Sequence, residues 1–335
     1  MLLFSASIGI PSLRLMRFGS ACMRKLFISG LVFAFALLSA TASAAPMAYS
    51  VNSDQPLGDT LHQIDLTSGS ASPIGISVSA FGVVKTDIEG LTISPDLSLW
   101  GVDEDSLKLF QIDTSTGAVV PDSELSLSGL YSGRANDFGL TFTCFGQLYA
   151  TSVTSQVLYE IDRFGHAEPV GEPGNLGVNI SAIAAHGNNP VKIYGLGNGL
   201  LGDEGPADNR SLYEIDPESG VATVIGDIGL APAPYTQAGL SFDNSGKLWA
   251  ITDRSANGQF SEILSIDTQT GLATVEATAT VSGFESLAIA PPVGCASPED
   301  IPPGHIIPTL DGPGKLLAIL VLMLAGFASL RHRFS

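Results

Sequence analysis

The chain has 335 residues, of which 45% are apolar and only 14% are charged, and it contains 37 glycines and 20 prolines. Acidic residues number 33 against 15 basic ones, so the formal net charge is −18. This balance disfavours nucleic acid and anionic lipid as partners, because like charges repel. The glycine and proline content favours a turn-rich, all-β protein.

Residues 1–44 are predicted to be a leader. Arg24 and Lys25 precede the apolar run Leu26–Leu38, and Ala42–Ala44 has the small-residue pattern of a cleavage site. We expect a secretory signal peptide over 23–44, which signal peptidase cuts after Ala44. An uncleaved membrane anchor is the alternative, but the small-residue site and the short apolar run favour cleavage.

A phrase of about nine residues then recurs roughly every fifty residues. Each copy has a short strand, an aspartate and, three or four residues later, a glycine; the aspartates are Asp65, Asp113, Asp162, Asp216 and Asp267. Aspartate bonds the backbone two residues on and glycine accepts a positive φ, so a type I turn with a glycine bulge is predicted. Metal ligation is the alternative role, and five similar turns favour turn formation. Later strands are expected at Ala118–Val120, Ala167–Val170, Val221–Ile225 and Ala273–Val275.

A second phrase precedes the first one in each period and predicts two strands joined by a polar turn. Its copies begin at Glu89, Phe138, Ser181 and Ala238. Together the two phrases supply four short strands per period, which is the unit of a β-propeller blade. Regular strands without helical periodicity argue against an α/β fold. We therefore predict an all-β protein with a β-propeller of four-stranded blades over 45–290.

The two ends of the repeat array predict the number of blades. The first copy begins with its second strand, Met47–Val51, and an unpartnered first strand, Phe284–Ala290, follows the fifth copy. Pairing these two segments completes one blade and removes the open sheet edges. We predict five blades closed by the N- and C-terminal strands, with a sixth, degenerate blade as the alternative. A signal helix and a C-terminal transmembrane helix flank the propeller.

The predicted fold brings one set of polar residues together. Residues at the start of each innermost strand should converge at one mouth of the central channel: Asp87, Glu89, Asn136, Asp137, Asn179, Gln237 and Glu285. Four of them are acidic, so the mouth is a candidate site for a small polar ligand, such as a sugar, or for a cation such as calcium. The simpler explanation, which the sequence favours, is that strand ends are polar because they meet water.

Catalytic motifs are absent from the sequence. The histidines His62, His166 and His186 have no Ser, Cys or carboxylate at a recognisable spacing, and no G-x-S-x-G, H-E-x-x-H or P-loop occurs. The acidic run Asp103–Asp105 lacks the spacing of a calcium loop and is expected to be a solvated loop tip. We predict no catalytic residue, no metal ligand and no obligatory cofactor.

Two cysteines, Cys144 and Cys295, lie beyond the leader. An exported protein can join such a pair in a disulfide. Two free thiols are the alternative, because a sequence does not show how far apart the residues are.

The end of the chain has a three-part layout. Residues 291–314 predict a linker rich in proline and glycine, which contains Ile307, Pro308, Thr309 and Leu310. Residues 315–335 carry the uncharged run Leu316–Leu330 and a basic end, which is typical of a transmembrane sorting segment with a cytoplasmic terminus. Between residues 45 and 300 the chain has 32 acidic and 8 basic residues, a net charge of −24 that suits an extracellular surface.

This layout resembles the IPTL-CTERM sorting signal of Gram-negative bacteria, a relative of the PEP-CTERM tails that exosortases handle. The family usually continues with Ser, an acidic residue, Trp and Gly, whereas Asp311–Gly314 here lacks the Trp. The resemblance implies membrane anchoring, processing near Ile307–Leu310 by an exosortase-like enzyme, and display at the cell surface or outside the cell. The repeats over Met47–Ala290 also resemble those of uncharacterised secreted bacterial β-propellers.

These observations favour an exported, surface-anchored propeller that acts as a binding or interaction module. A surface glycan or a protein is the expected ligand, and nucleic acid is not. A metal-dependent propeller enzyme of the lactonase or lyase kind is the first alternative, and a structural envelope or matrix protein is the second.

Overall fold

The computed structural model describes residues 46–53, 58–130, 137–199 and 209–295. Their strands, in chain order, are β1 (Met47–Asn52), β2 (Thr60–Asp65), β3 (Ala71–Ile74), β4 (Ser79–Ala80), β5 (Val83–Val84), β6 (Ile88–Ile93), β7 (Leu99–Asp103), β8 (Lys108–Ile112), β9 (Leu125–Ser126), β10 (Phe138–Phe142), β11 (Leu148–Ser152), β12 (Val157–Ile161), β13 (Ala167–Pro169), β14 (Ile180–His186), β15 (Lys192–Gly197), β16 (Ser211–Ile215), β17 (Ala222–Asp227), β18 (Gln237–Phe242), β19 (Leu248–Asp253), β20 (Glu262–Ile266) and β21 (Ala273–Thr278).

One short 3₁₀ turn, Ser255–Asn257, interrupts these strands. Within the described ranges, no helix is long and apolar enough to span a bilayer. The predicted leader with its cleavage site at Ala44, the motif Ile307–Leu310 and the transmembrane segment lie outside the described residues.

The strands form five antiparallel blades. Blade 1 contains β1-β2-β3, blade 2 β6-β7-β8-β9, blade 3 β10-β11-β12-β13, blade 4 β14-β15-β16-β17, and blade 5 β18-β19-β20-β21. Strands β6, β10, β14 and β18 contact one another in sequence, so they are the innermost strands around a central channel. Apolar side chains fill the space between neighbouring blades, as where Leu196 of blade 4 and Leu240 of blade 5 share one buried cluster.

The last described segment completes blade 1. The N–H of Tyr49 donates to the carbonyl of Ala288 at 2.7 Å, and the N–H of Ala288 donates back at 2.9 Å. Asn52 and Phe284 form a second antiparallel bridge. Residues 284–290 therefore serve as the innermost strand of blade 1. The predicted five-bladed propeller, closed between its two ends, is confirmed.

The glycines of the turn phrase hold neighbouring blades together. Gly117 of blade 2 has a φ of +74°, and a Cβ on it would lie 2.2 Å from the carbonyl oxygen of Ile74 in blade 1. The same close approach recurs around the ring at Gly69, Gly165, Gly220 and Gly271. Glycine is thus required twice at this position, for the left-handed backbone and for contact between blades.

The second phrase brings the innermost strands close together. A Cβ on Gly239 would lie only 2.3 Å from the backbone nitrogen of Leu287 in the neighbouring strand. The hydroxyls of Thr92, Thr141 and Ser241 accept the N–H groups of Phe142, Ala185 and Ile289 at 3.2, 2.9 and 3.1 Å, respectively. The repeated glycine and hydroxyl therefore narrow the channel and satisfy backbone donors that face it.

Blade 2 departs from the predicted pattern. The segment Ala118–Val120 is not a strand, because only Val119 bridges Ile112, and the outermost strand forms later as β9. Pro121 follows directly and has no N–H to donate to a ladder, which explains the displacement. The hairpin β4-β5, which the sequence did not predict, lies beside this displaced segment, since the N–H of Val119 donates to Ser79 at 3.1 Å.

Residues 291–295, which we call the strap, cover the end of the channel at which the innermost strands finish. Pro291, Pro292 and Val293 close a cavity of about 20 Å³ at that end. The N–H of Gly187 donates to the carbonyl of Val293 at 2.8 Å. Cys295 forms a disulfide with Cys144, with the two Cα atoms 5.7 Å apart. The structure therefore contains the disulfide and not two free thiols.

Candidate functional site

All five innermost strands begin at the end of the channel opposite the strap. Five equivalent residues line the narrow cavity at this end: Glu89, Phe138, Ser181, Ala238 and Glu285. The pairing of β6 with β7 skips Glu89, and the pairing of β14 with β15 skips Ser181. Both residues therefore lie at irregularities of the β-bulge type, which turn a side chain away from its usual face.

Two buried residues hold the start of β6 in place. The carboxylate of Asp59 accepts the N–H of Ile88 at 2.8 Å, and the hydroxyl of Ser53 donates to the carbonyl of Ile88 at 2.7 Å. Both partners come from the connection between β1 and β2 of the neighbouring blade. The backbone next to Glu89 is thereby fixed from outside its own sheet.

Three carboxylates converge beside the channel opening. Asp87, Glu89 and Glu104 each offer an oxygen that lies within 4.8 Å of the oxygens of the other two. Glu104 follows β7, and its N–H donates to the carbonyl of Asp87 at 2.8 Å. Oxygens that share one Ca²⁺ at about 2.3–2.6 Å are at most about 5 Å apart. The spacing is therefore compatible with a shared cation.

The electrostatics of Glu89 reflect this crowding. Its side chain is buried, with 5% of the residue exposed. Burial raises the pKa of Glu89 well above its ordinary value, and the nearby carboxylates of Glu285, Asp137 and Asp87 raise it further. We call the five carboxylates of Asp87, Glu89, Glu104, Asp137 and Glu285 the acid mouth. Both effects disfavour the ionised form of Glu89, whereas a bound cation would favour it.

The channel below the acid mouth is too narrow for an organic ligand. Its cavity, which Glu89, Ser181 and Glu285 line, has a volume of about 10 Å³. One water needs a cavity of roughly 10–15 Å³, so the occupant is an ion or a single water at most. Ser181 is buried, with 4% of the residue exposed. Among the described residues, its hydroxyl has no hydrogen-bond partner.

The predicted mouth residues divide into two groups. Asp87, Asp137 and Glu285 come close enough to Glu89 for their charges to raise its pKa. Asn179 does not join them, because its side-chain oxygen accepts the Nε2–H of Gln156 at 2.7 Å.

The remaining two predicted mouth residues are Gln237 and Asn136. Gln237 begins β18, and its buried Oε1 has no hydrogen-bond partner among the described residues. Asn136 lies outside the part of the chain that the structure describes.

Sequence reasoning missed Ser181 and Glu104. Ser181 begins its copy of the second phrase in the position that Glu89 and Glu285 occupy in theirs, so an alignment of the copies carries the signal. Glu104 belongs to the run Asp103–Asp105, which was expected to be a solvated loop tip. That expectation is wrong for Asp103, which is 2% exposed and accepts the N–H of Ser106 at 2.9 Å.

The repeated turn aspartates have a different role. The N–H of the residue two positions on donates to the carboxylates of Asp65, Asp113, Asp162, Asp216 and Asp267 at 2.7–2.9 Å. Hydrogen bonds from hydroxyl and backbone N–H groups of the same turn lower the pKa of each aspartate. The prediction that these residues form turns is confirmed.

The three histidines within the described residues are not part of the carboxylate cluster. His62 packs its ring edge-on against Phe284 at 5.2 Å, and burial lowers its pKa. His186 lies at the strap end of the channel, against Phe242 at 4.9 Å. His166 lies in an outer turn, where its Nδ1 is 3.2 Å from the hydroxyl of Ser128. The described cluster with metal-binding geometry therefore consists of carboxylates alone.

Comparison with known proteins does not assign a function. No protein-family model matches the chain, and no curated protein does. Similar solved structures include virginiamycin B lyase from Staphylococcus aureus (19% identity, TM-score 0.39, 70% of each chain covered) and a gluconolactonase from Xanthomonas campestris (13%, 0.42, 71% of this chain and 78% of that one). A third is a protein of unknown function from Bacteroides caccae (10%, 0.46, 72% and 98%).

At these identities and TM-scores the likeness concerns the fold alone. The chain is a five-bladed β-propeller. What it binds has to follow from the residues of its own acid mouth.

Proposed function

We propose that the protein is an exported binding module that holds a divalent cation, best suited to Ca²⁺, at the acid mouth. The observation that carries this proposal is the convergence of carboxylate oxygens from Asp87, Glu89 and Glu104 within 4.8 Å. Ca²⁺ takes oxygen ligands, carboxylates above all, whereas copper and zinc sites prefer nitrogen and sulfur. A ligand set of carboxylates therefore favours the harder cation.

Two further features support a cation. Glu89 is buried beside other carboxylates, and a positive charge relieves both the burial cost and the repulsion that raise its pKa. The hydroxyl of Ser181 supplies an oxygen without a hydrogen-bond partner, on the wall of the same cavity as Glu89. A water molecule in the cavity is the competing occupant.

The test is a thermal melt of the purified full chain in EDTA and in increasing Ca²⁺. A cation at about 100 times its Kd should add about 2.7 kcal/mol to the free energy of unfolding. Glu104→Gln removes one converging carboxylate and should abolish most of this gain. Asp105→Asn is the matched control, because Asp105 accepts the hydroxyl of Thr86 at 3.0 Å outside the cluster. Equal Ca²⁺ shifts in the wild type and in Glu104→Gln would exclude this site.

The metal-dependent enzyme remains the second candidate. A bound cation can activate water or polarise a carbonyl group, and a buried carboxyl with a raised pKa, such as Glu89, can move a proton. Hydrolysis of a lactone panel by the protein loaded with Ca²⁺, and its loss in EDTA, would move the assignment to the enzyme. A structural envelope or matrix protein is the third candidate, and it predicts neither cation nor ligand binding.

We propose in addition that the protein is exported and anchored at the cell surface by its C-terminal segment. The disulfide between Cys144 and Cys295 supports this location, because disulfides persist in oxidising compartments.

This placement has a direct test on intact cells. A protease added outside should release propeller peptides, and mass spectrometry should find a mature N-terminus at Ala45. A C-terminus close to Ile307–Leu310 would support processing by an exosortase-like enzyme. Propeller peptides that stay protected until the cells are lysed would contradict surface display.

A further inference from the structure

A groove of about 380 Å³ lies between the hairpin β4-β5 and the segment that connects β8 to β9. Pro121 ends the short pairing of Val119 and Val120 with β8, so the outermost strand of blade 2 forms only later, and Val119 and Val120 also line one wall of the groove. Its volume falls in the range of roughly 300–1,000 Å³ that is typical of small-molecule sites. It shares no residue with the acid mouth, and we call it the hairpin groove.

An aromatic side chain stands at its rim in an unfavourable conformation. Phe81 and Gly82 form the two-residue loop of the hairpin, with φ values of +51° and +83°. These values define a type I′ turn, in which Asn-Gly is the preferred pair. A bulky residue at positive φ is an outlier, and such strain is kept mainly at binding and active sites. Phe81 is also 87% exposed, so burial does not compensate for the strain.

Charged side chains of both signs complete the lining. Lys108, Asp122 and Glu124 face the groove beside its apolar residues. Lys108 donates to the hydroxyl of Ser126 at 2.6 Å and keeps further N–H donors. One oxygen of Glu124 accepts from Lys85 at 2.7 Å, and a carboxylate can accept more bonds than this one. The lining therefore has both donors and acceptors beside an exposed ring.

The charges decide which kind of ligand fits. An anion would meet Asp122, Glu124 and a strongly acidic domain, and a purely apolar molecule would bury charged groups without partners. A simple cation would meet Lys108. A neutral ligand rich in hydroxyls can donate to the carboxylates, accept from the lysine and lay an apolar ring face on Phe81.

We propose that the hairpin groove binds a neutral saccharide, with one sugar ring stacked on Phe81 and its hydroxyls held by Lys108, Asp122 and Glu124. The unfavourable backbone of Phe81 is retained because the ring is needed as a platform. The site lies on the outer part of blade 2 and is open to solvent. It therefore suits a single sugar unit or the end of a longer chain.

The test uses the full chain with glucose, N-acetylglucosamine and their β-1,4-linked dimers, followed by saturation-transfer NMR and calorimetry. The wild type should bind at least one of these sugars saturably. Phe81→Asn should weaken that binding at least tenfold, while its thermal midpoint stays the same or rises, because asparagine suits a type I′ turn. Binding should persist in EDTA, which separates this site from the cation site.

A second exposed phenylalanine provides the control. Phe164 is 69% exposed in the turn between β12 and β13, and Phe164→Ala should leave sugar affinity unchanged. No binding of any of the four sugars by the wild type would overturn the proposal. So would equal affinity in Phe81→Asn, or a loss of sugar binding in EDTA, which would place the sugar at the acid mouth.

Discussion

The two sides of the propeller use carboxylates in opposite ways. On the side that carries the strap, the turn aspartates accept bonds from hydroxyl and N–H groups of their own turns, and these bonds lower their pKa values. At the acid mouth, Glu89 lies buried beside other carboxylates, and burial and their charges raise its pKa. The first arrangement stabilises the ionised aspartate within its turn, whereas the second disfavours the ionised form of Glu89. The comparison separates acids that serve local folding from the cluster at which we propose a cation site.

Described residues close the strap end. A disulfide, a bridge to His186 and three residues of the strap cover it. At the acid mouth, carboxylates converge beside the channel opening. The strap end therefore contributes to the stability of the ring.

The largest expected effect comes from removing the disulfide. Cys144→Ser/Cys295→Ser opens a loop of 151 residues in sequence separation, for which chain entropy predicts a loss of about 5 kcal/mol. The thermal midpoint should fall by about 10–20 °C in a domain of this size. The Ca²⁺ shift at the acid mouth should survive at a lower temperature. An unchanged midpoint under non-reducing conditions would show that the strap does not stabilise the ring.

The second prediction separates two costs of replacing a turn glycine, which are the strain of a left-handed backbone and the clash with the neighbouring blade. Gly117→Ala places a Cβ 2.2 Å from the carbonyl oxygen of Ile74, whereas Gly146→Ala, also at positive φ, meets nothing within 4 Å. The control should lose about 1–2 kcal/mol to the left-handed backbone, and Gly117→Ala should lose at least about 1 kcal/mol more, since the neighbouring blade has to move. Urea unfolding measures both. Equal losses would mean that the turn glycines serve only the turn.

The third prediction concerns the acid mouth, where Glu89→Gln should raise the thermal midpoint without Ca²⁺ but remove the stabilisation that Ca²⁺ provides. The folded pKa of Glu89 is raised, so its contribution to stability is present below the unfolded value of 4.5 and is lost as pH rises through the folded pKa. At pH 7 in EDTA, Glu89→Gln should therefore raise the thermal midpoint by about 2 °C or more, and it should abolish the Ca²⁺ shift. Glu168→Gln, whose side chain is 79% exposed, is the control. A lower midpoint in Glu89→Gln would contradict the assignment.

The smallest effect belongs to the turn aspartates. Hydrogen bonds from the turn lower the pKa of Asp216, so its stabilising contribution is present above the unfolded value of 3.8 and disappears as pH falls through the folded pKa. Asp216→Asn should change the thermal midpoint by less than about 2 °C at pH 7, because the residue is exposed. The difference from the wild type should vanish near pH 2. A difference that grows in acid would reverse this assignment.

The architecture could be read from the chain because its signals are local and repeated. The aspartate and glycine of each turn act through bonds within five residues, so Asp216 and Gly220 predict the hairpin of β16 and β17 from local bonds. Five repeats and two unpaired end strands predict that the two end strands pair to close the ring, and residues 284–290 form this pairing. The roles of these residues depend on neighbours in sequence or on the repeat itself.

The site and the groove depend on contacts that no period encodes. Glu104 joins Asp87 although the two residues lie beside different strands, and Asp59 fixes the start of β6 from the neighbouring blade. Cys144 and Cys295 meet because the strap crosses the channel end, and the hairpin groove forms where Pro121 interrupts a blade. Contacts of this kind bring Glu104, which was expected in a solvated loop, into a cluster with the buried Glu89.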